Sequence, residues 1–198
     1  MENKKRFKTA LLQTALMIVI SLGMSSFSSS QKANDAKPVA NVQNETKDAN
    51  ISKEKDAKFL ATAAEINLEE IKLGQLAQQK STMKDVKDLG QMIETDHSKN
   101  MEKLTTLAKK ESIDLPSSLT DKGNDAYEKL SKLSGTSFDK EYCDMMVSGH
   151  KGAISEYEKE IKETKNSDIK AFATATLLDL RKHLEHATTC KNKYEKMK

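Results

Sequence analysis

Four ionisable side chains fall where the chain is otherwise apolar, and their types define the chemistry that the fold can support. They occupy inward positions in the three-and-four spacing of helical apolar stripes: Glu70, His97, His150 and His183. A buried imidazole or carboxylate is costly unless it is hydrogen-bonded, paired or bound to an ion. We therefore expect these side chains to satisfy one another or a cation inside the fold.

Metal binding is the chemistry that this set favours, because imidazoles and carboxylates from facing helices build zinc and transition-metal sites. Glu94 stands three residues before His97, the spacing by which one helix supplies two ligands. The predicted ligands are Glu70, Glu94, His97, His150 and His183. The predicted accessory residues are Asp96, Met101 and Met146. The alternative is a buried polar network without metal, and His186, beside charged residues, is predicted to lie at the surface.

The identity of the metal stays open among zinc, iron and copper. A two-iron site needs a second Glu-x-x-His pair, but Val147 stands three residues before His150 and Leu180 three before His183. The two accessory methionines each lie one turn from a histidine, and soft sulfur beside imidazole favours Cu(I). Methionine is also a common core filler, so this spacing leaves the alternatives open.

Four long amphipathic segments carry these residues, which predicts an all-α domain over residues 54–198. The segments are 53–80, 83–112, a third from about 137, and 167–196. The connection of 25 residues before the third segment includes a short helix near 121–133 and can travel the length of a bundle. We therefore predict a ferritin-like four-helix bundle with a long crossover between helices 2 and 3.

The two cysteines are predicted to pair. With a turn near residue 166, Cys143 lies 23 residues before the turn and Cys190 lies 24 after it, so they are level on antiparallel helices. In an oxidising compartment such a pair favours a disulfide, provided that the Cα separation allows it. The alternative is two buried free thiols.

The first thirty residues predict export. Basic residues 4, 5, 6 and 8 precede the uncharged run 9–24, and residues 25–30, five of them serine, follow, as in a cleaved secretory signal peptide. An uncleaved amino-terminal anchor is the alternative. No cysteine ends the apolar run, so we expect a periplasmic or secreted protein and not a lipoprotein. The polar, aperiodic residues 31–53 are predicted to form a disordered tether.

Charge and motifs narrow the functional classes. The chain has 33 basic and 30 acidic residues, of which residues 1–30 hold four and one, so the rest is balanced at 29 each. This balance gives no electrostatic basis for nucleic-acid binding. No nucleophile elbow, phosphate loop or dinucleotide turn occurs, so we predict no catalytic residue, although a metal leaves enzymatic activity open. An envelope protein partner and the oligomeric state also stay open.

Four segments between residues 57 and 187 resemble a known family of exported bacterial proteins. They are FLATAAEINLEEIKLGQLAQQKS, MIETDHSKNMEKLTTLAKKESIDLP, FDKEYCDMMVSGHKGAISEYEKE and IKAFATATLLDLRKHLEHA. The chain is similar to domain of unknown function 4142. This resemblance implies a ferritin-like bundle of unestablished biochemical role. The polar positions of the family fall on Glu70, Asp96, His97, His150 and His183.

Residues 144–154 also resemble a related exported bundle family implicated in copper and silver binding. The paired histidines of that family are reduced here to Gly149-His150, which weakens the prediction of copper binding. Together the patterns predict an exported bundle with a core metal ion, acting in envelope metal handling or stress protection. The alternative is a non-catalytic structural or interaction module of the envelope.

Overall fold

Five helices make up most of residues 39–196, the part of the chain that the computed structural model describes. They are α1 (Val39–Lys80), α2 (Lys84–Glu111), α3 (Asp121–Ser131), α4 (Gly135–Glu163) and α5 (Ser167–Glu195). No strand occurs within this range. The prediction of an all-α domain is confirmed, with the short helix α3 inside the connection between the second and third long helices.

The long helices associate as two hairpins. α1 packs along α2 and α4 packs along α5, while α2 also contacts α5 and α1 contacts α4. The short helix α3 packs against α1 and α4. The four long helices therefore surround a common interior, as predicted, whereas the ferritin-like assignment in its details stays a prediction.

Local capping explains several helix ends. The Asn166 side chain accepts hydrogen bonds from the backbone N–H groups of Asp168 and Ile169 in α5, and the Thr120 hydroxyl accepts one from Gly123 in α3. After α2 the chain turns through Ser112 in the left-handed conformation, with φ 58°. These caps satisfy backbone groups that would otherwise lack partners at the ends of helices.

Helix α1 begins earlier than the sequence predicts. Its first residue is Val39, and the sequence predicts a start near Lys53 after a disordered tether. Residues 39–53 contain neither glycine nor proline, and extending an existing helix adds one hydrogen bond for each residue that is fixed. Residues 31–38 of the predicted tether and the whole predicted signal segment lie outside the described residues. None of the described helices is long and apolar enough to cross a membrane.

A polar layer divides the interior into two apolar clusters. On every long helix, the cluster residues stop on one side of a buried polar group and resume on the other. On α2, for example, Ile93 belongs to one cluster and Leu104 to the other, with His97 buried between them. The candidate site lies in this layer.

Cys143 and Cys190 lie in the first of these clusters as buried free thiols, where the sequence predicts a disulfide. The two side chains are adjacent across α4 and α5, and a hydrogen bond between them raises the pKa of Cys143 and lowers that of Cys190. This hydrogen bond satisfies the thiols in their reduced form, and the disulfide between them stays a prediction.

Candidate metal centre

Three histidines from three helices meet in the polar layer. His97 on α2, His150 on α4 and His183 on α5 each have no more than 3% of their surface exposed. One ring nitrogen from each lies within 4.8 Å of the other two. The ring centroids are 5.2 to 5.8 Å apart. The sequence-based prediction that these three face inward matches their placement.

The protonated nitrogen of His150 is identified by its hydrogen bond to the backbone. Nδ1 lies 2.9 Å from the carbonyl oxygen of Met146, one turn earlier in α4. A carbonyl can only accept, so Nδ1 carries the hydrogen. In the neutral ring, Nε2 is then a bare acceptor, and it lies 3.2 Å from Nδ1 of His183.

His183 is oriented by a carboxylate. Its Nε2 lies 3.1 Å from Oδ2 of Asp96, which is also 3.5 Å from the ammonium group of Lys182. Burial acts to raise the pKa of Asp96, but the hydrogen bond from His183 and the nearby Lys182 outweigh it and hold the pKa below its usual value. The carboxylate therefore accepts the hydrogen from Nε2, and Nδ1 of His183 is left bare.

His97 is oriented by a directional chain of hydrogen bonds. The Thr176 hydroxyl donates to the carbonyl of Phe172 and accepts from the Asn100 amide. Asn100 in turn accepts from the amide of Asn67, so the Asn67 oxygen faces Nδ1 of His97 at 2.8 Å. Nδ1 therefore donates, and Nε2 of His97 is buried with no hydrogen-bond partner.

All three imidazoles are neutral at neutral pH. Burial, followed by the charges of the other two histidines, lowers the pKa of His97 well below its usual value. Burial and the neighbouring His183 lower the pKa of His150 to about 4. Burial also lowers the pKa of His183, although Asp96 opposes the shift. Neutral imidazole is the form that binds metal.

The hydrogen bonds thus leave one bare nitrogen on each ring. Two of them, Nε2 of His150 and Nδ1 of His183, are 3.2 Å apart although neither has a hydrogen to donate. A tetrahedral ion that holds imidazoles at about 2.0–2.1 Å keeps the nitrogens about 3.3–3.4 Å apart. The spacing of this pair therefore fits two ligands of one ion.

Glu70 lies beside this group but is not one of its members. The residue is 7% exposed, its Oε1 is 3.9 Å from Nδ1 of His150, and its Oε2 has no partner. Burial and then the charge of Glu69 raise its pKa to about 8. It approaches the nitrogen of His150 that is already bonded to a carbonyl, so it does not reach the three bare nitrogens.

The structure places Glu94 outside the site, against the sequence-based prediction. Its carboxylate accepts hydrogen bonds of 2.9 Å from Gln75 and 2.6 Å from Gln78, and these bonds lower its pKa. Three residues before His97, the side chain turns toward α1, where two amides satisfy it.

Met146 offers His150 its carbonyl and belongs to the first apolar cluster, whereas Met101 packs against the second.

Sequence reasoning missed the amide chain. Asn67 and Asn100 are both buried, at 1% and 7% exposure, and each stands three residues from a predicted ligand. That spacing was the available signal, because a buried amide on an apolar stripe needs a polar partner just as a buried histidine does. Asp96 was predicted as an accessory residue, and the structure places it against His183.

Comparison with known proteins connects the chain to domains of unknown function. A family model described as "Domain of unknown function (DUF4142)" matches residues 40–190 of the 198. A solved structure, the crystal structure of a DUF305 fragment from Deinococcus radiodurans, has a TM-score of 0.63 at 11% sequence identity. The match covers 70% of this chain and 96% of that fragment, and it shows a shared fold alone. No curated protein matches the chain.

Proposed function

The chain belongs to the DUF4142 family, whose function is unknown, and we propose that it binds one transition-metal ion through His97, His150 and His183. Three neutral imidazoles suit zinc, copper, nickel or iron, and do not suit the oxygen-seeking ions magnesium and calcium. The outer nitrogens are held by a carboxylate, an amide oxygen and a carbonyl, which is the usual way in which metal-binding histidines are oriented.

The observation that carries this proposal is the close pair of bare nitrogens. Nε2 of His150 and Nδ1 of His183 are 3.2 Å apart, and the hydrogens of both rings are used elsewhere. Two lone pairs this close together in a buried site repel one another, and an ion between them would turn this repulsion into two bonds. An added proton could bridge the pair, but burial opposes protonation of both rings, and the charge of His183 also opposes it at His150.

The burial of the ligands supports a role in holding an ion, as in metal handling or stress protection. Each histidine is at most 3% exposed, which leaves an organic substrate little access to a bound ion. The signal-like residues 1–30 and the family resemblance favour the cell envelope as the place of action. The competing function is a structural module in which the same residues only fix the register of the helices.

Metal content tests the proposal directly. The full chain is expressed in a bacterial host, purified without chelators, and analysed for metals by mass spectrometry. We expect close to one ion for each parent molecule and little in a His97→Ala, His150→Ala variant that keeps its helical circular dichroism. His186→Ala is the matched control and should retain the metal. A parent protein that stays empty after incubation with Zn(II), Fe(II) and Cu(I) would exclude metal binding and favour the structural module.

A further inference from the structure

An acidic cavity of about 510 Å³ lies beside the three histidines. α1, α4 and the start of α3 form its walls. Its ionisable lining consists of four carboxylates and one lysine: Glu65, Glu69, Glu70, Glu156 and Lys122. Even with Glu70 protonated, the other three glutamates outnumber the single lysine, and walls with an excess of negative charge raise the local concentration of cations.

Glu70 connects this cavity to the histidines. It lines the cavity, is more than nine-tenths buried, and approaches Nδ1 of His150 to 3.9 Å. Its Oε2 is buried without a hydrogen-bond partner. A carboxylate oxygen left unpaired in the interior is costly, and a cation bound from the cavity would satisfy it.

Two glycines of α4 keep the cavity open on the side of His150. A Cβ atom at Gly149 would lie 3.4 Å from Oε1 of Glu70, in van der Waals contact with the carboxyl group. A Cβ atom at Gly152 would meet nothing within 4 Å, so this position borders free space. The absence of side chains here leaves room for an ion next to the Glu70 carboxylate.

We propose that the cavity is a second, transient site for a divalent metal ion, and that Glu70 passes the ion from this site to the three histidines. The inference rests on the proposed metal-binding function and adds the route by which the ion arrives. Carboxylate oxygens bind borderline ions more weakly than imidazoles do, so an ion held at Glu70 moves on to the histidines. Glu70 is then a transfer ligand and not a member of the final ligand set.

Loading kinetics test this route. Full-length chain is stripped of metal and mixed with Co²⁺ in a stopped-flow instrument, and the visible absorption of histidine-bound Co²⁺ is followed. We expect Glu70→Gln to load roughly ten-fold more slowly than the parent, because the carboxyl group that receives the ion is replaced by an amide, which is a much weaker ligand. The final absorption should equal that of the parent. Glu94→Gln removes a carboxylate that lies outside the cavity and should load at the parent rate.

A second variant tests the cavity without touching a carboxylate. Gly152→Leu places an aliphatic side chain in the open space and should also slow loading while preserving the final spectrum. Parent-like loading by both variants overturns the route and leaves the three-histidine site intact. A Glu70→Gln variant that never reaches the parent absorption makes Glu70 a ligand of the final site and overturns its transfer role. A parent that shows no histidine-bound Co²⁺ overturns the proposed function together with the route.

Discussion

At the scale of single residues, the three histidines are controlled by the groups behind them. Each histidine donates a hydrogen bond to a different acceptor: His97 to the Asn67 amide oxygen, His150 to the Met146 carbonyl and His183 to the Asp96 carboxylate. Of these acceptors, only Asp96 is ionised. A carboxylate behind a ligand histidine fixes the tautomer and increases the basicity of the bare nitrogen. Asp96 therefore contributes to metal affinity without reaching the ion.

Asp96→Asn is expected to weaken metal binding by roughly 10- to 100-fold, the usual cost of losing a partner of a ligand histidine. The measurement is a competition titration with a chromophoric chelator. Asp88→Asn is the matched control, since Asp88 is an exposed aspartate of the same helix that pairs with Lys84. Equal affinities for Asp96→Asn and the parent would contradict the role assigned to Asp96.

Glu160, a buried acid at the end of α4, makes the stability of the fold depend on pH. Burial, and then a hydrogen bond and repulsion with Asp56, raise the pKa of Glu160 to about 7. The folded chain therefore holds this proton more tightly than the unfolded chain, whose glutamates titrate near pH 4.3. The stability that the proton contributes is fully present below about pH 4.3 and is lost as the pH rises to about 7.

Glu160→Gln keeps a donor toward Asp56 and removes the titration. The free energy of unfolding of the variant, minus that of the parent, is expected to increase between pH 4.5 and pH 8. Urea unfolding at several pH values measures this difference. Glu156→Gln, at an exposed position of the same helix, controls for the loss of a charge. A difference that stays constant with pH would refute the shared proton.

The sequence predicted the histidines better than their neighbours, for a physical reason. Helical periodicity determines which side chains face the interior, and it placed His97, His150 and His183 there. Periodicity does not determine which hydrogen-bonding partners the facing helix presents to them. Glu94 is satisfied by amides of α1, and Asp96, two residues later, reaches His183. Such pairings depend on the rotation of one helix against another.

At the scale of helices, the α1–α2 hairpin depends on two glycines. A Cβ atom at Gly90 would come within 2.8 Å of the carbonyl oxygen of Gly74, and one at Gly74 within 2.6 Å of the carbonyl of Gly90. The two backbones therefore touch, about two turns before His97. This contact sets the distance between α1 and α2 near the polar layer.

Gly90→Ala is expected to lower the free energy of unfolding by about 1–3 kcal/mol, because the backbones must separate. The better helix propensity of alanine offsets at most about 1 kcal/mol of that loss. Gly152→Ala is the matched control in α4. It gains about 0.5–1 kcal/mol from propensity, and its Cβ atom has free space. Denaturant unfolding of both variants gives the comparison, and a stable Gly90→Ala protein would contradict the close contact.

The α4–α5 hairpin carries the adjacent thiols of Cys143 and Cys190. We expect mild oxidation of the protein to join them, since the two side chains already contact each other. The bond would close a loop of 47 residues and raise the free energy of unfolding by about 3–4 kcal/mol on the chain-entropy model. Peptide mapping and unfolding with and without reductant measure both effects. Cys143→Ser should show neither, and a parent that stays reduced would exclude the bond.

The sequence predicted the helices well because their signals are local. The ends of α2 and α5 lie within two residues of the predicted positions. The start of α1 could not be predicted, because residues 39–53 show no apolar stripe, so periodicity had nothing to detect there. Helix propagation from the packed part of α1 determines that segment instead.

At the scale of the whole molecule, the polar layer contributes less to stability than the two apolar clusters on either side of it. A buried layer of neutral imidazoles and amides contributes less to stability than apolar packing does, and its unpaired nitrogen on His97 adds a cost. An ion bound there would link α2, α4 and α5 and replace unsatisfied groups with bonds. Metal binding and global stability should therefore be coupled.

Zn²⁺ at 100 times its dissociation constant is expected to stabilise the folded chain by about 2.7 kcal/mol, because the unfolded chain lacks the assembled site. For a domain of this size, that corresponds to a rise in melting temperature of about 5–10 °C. Scanning calorimetry of the parent, His150→Ala and His186→Ala shows whether zinc binds at the three histidines, elsewhere or not at all. His150→Ala should lose the shift and His186→Ala should keep it. An equal shift in all three proteins would mean that zinc binds elsewhere. No shift in the parent would mean that the histidines serve the fold alone.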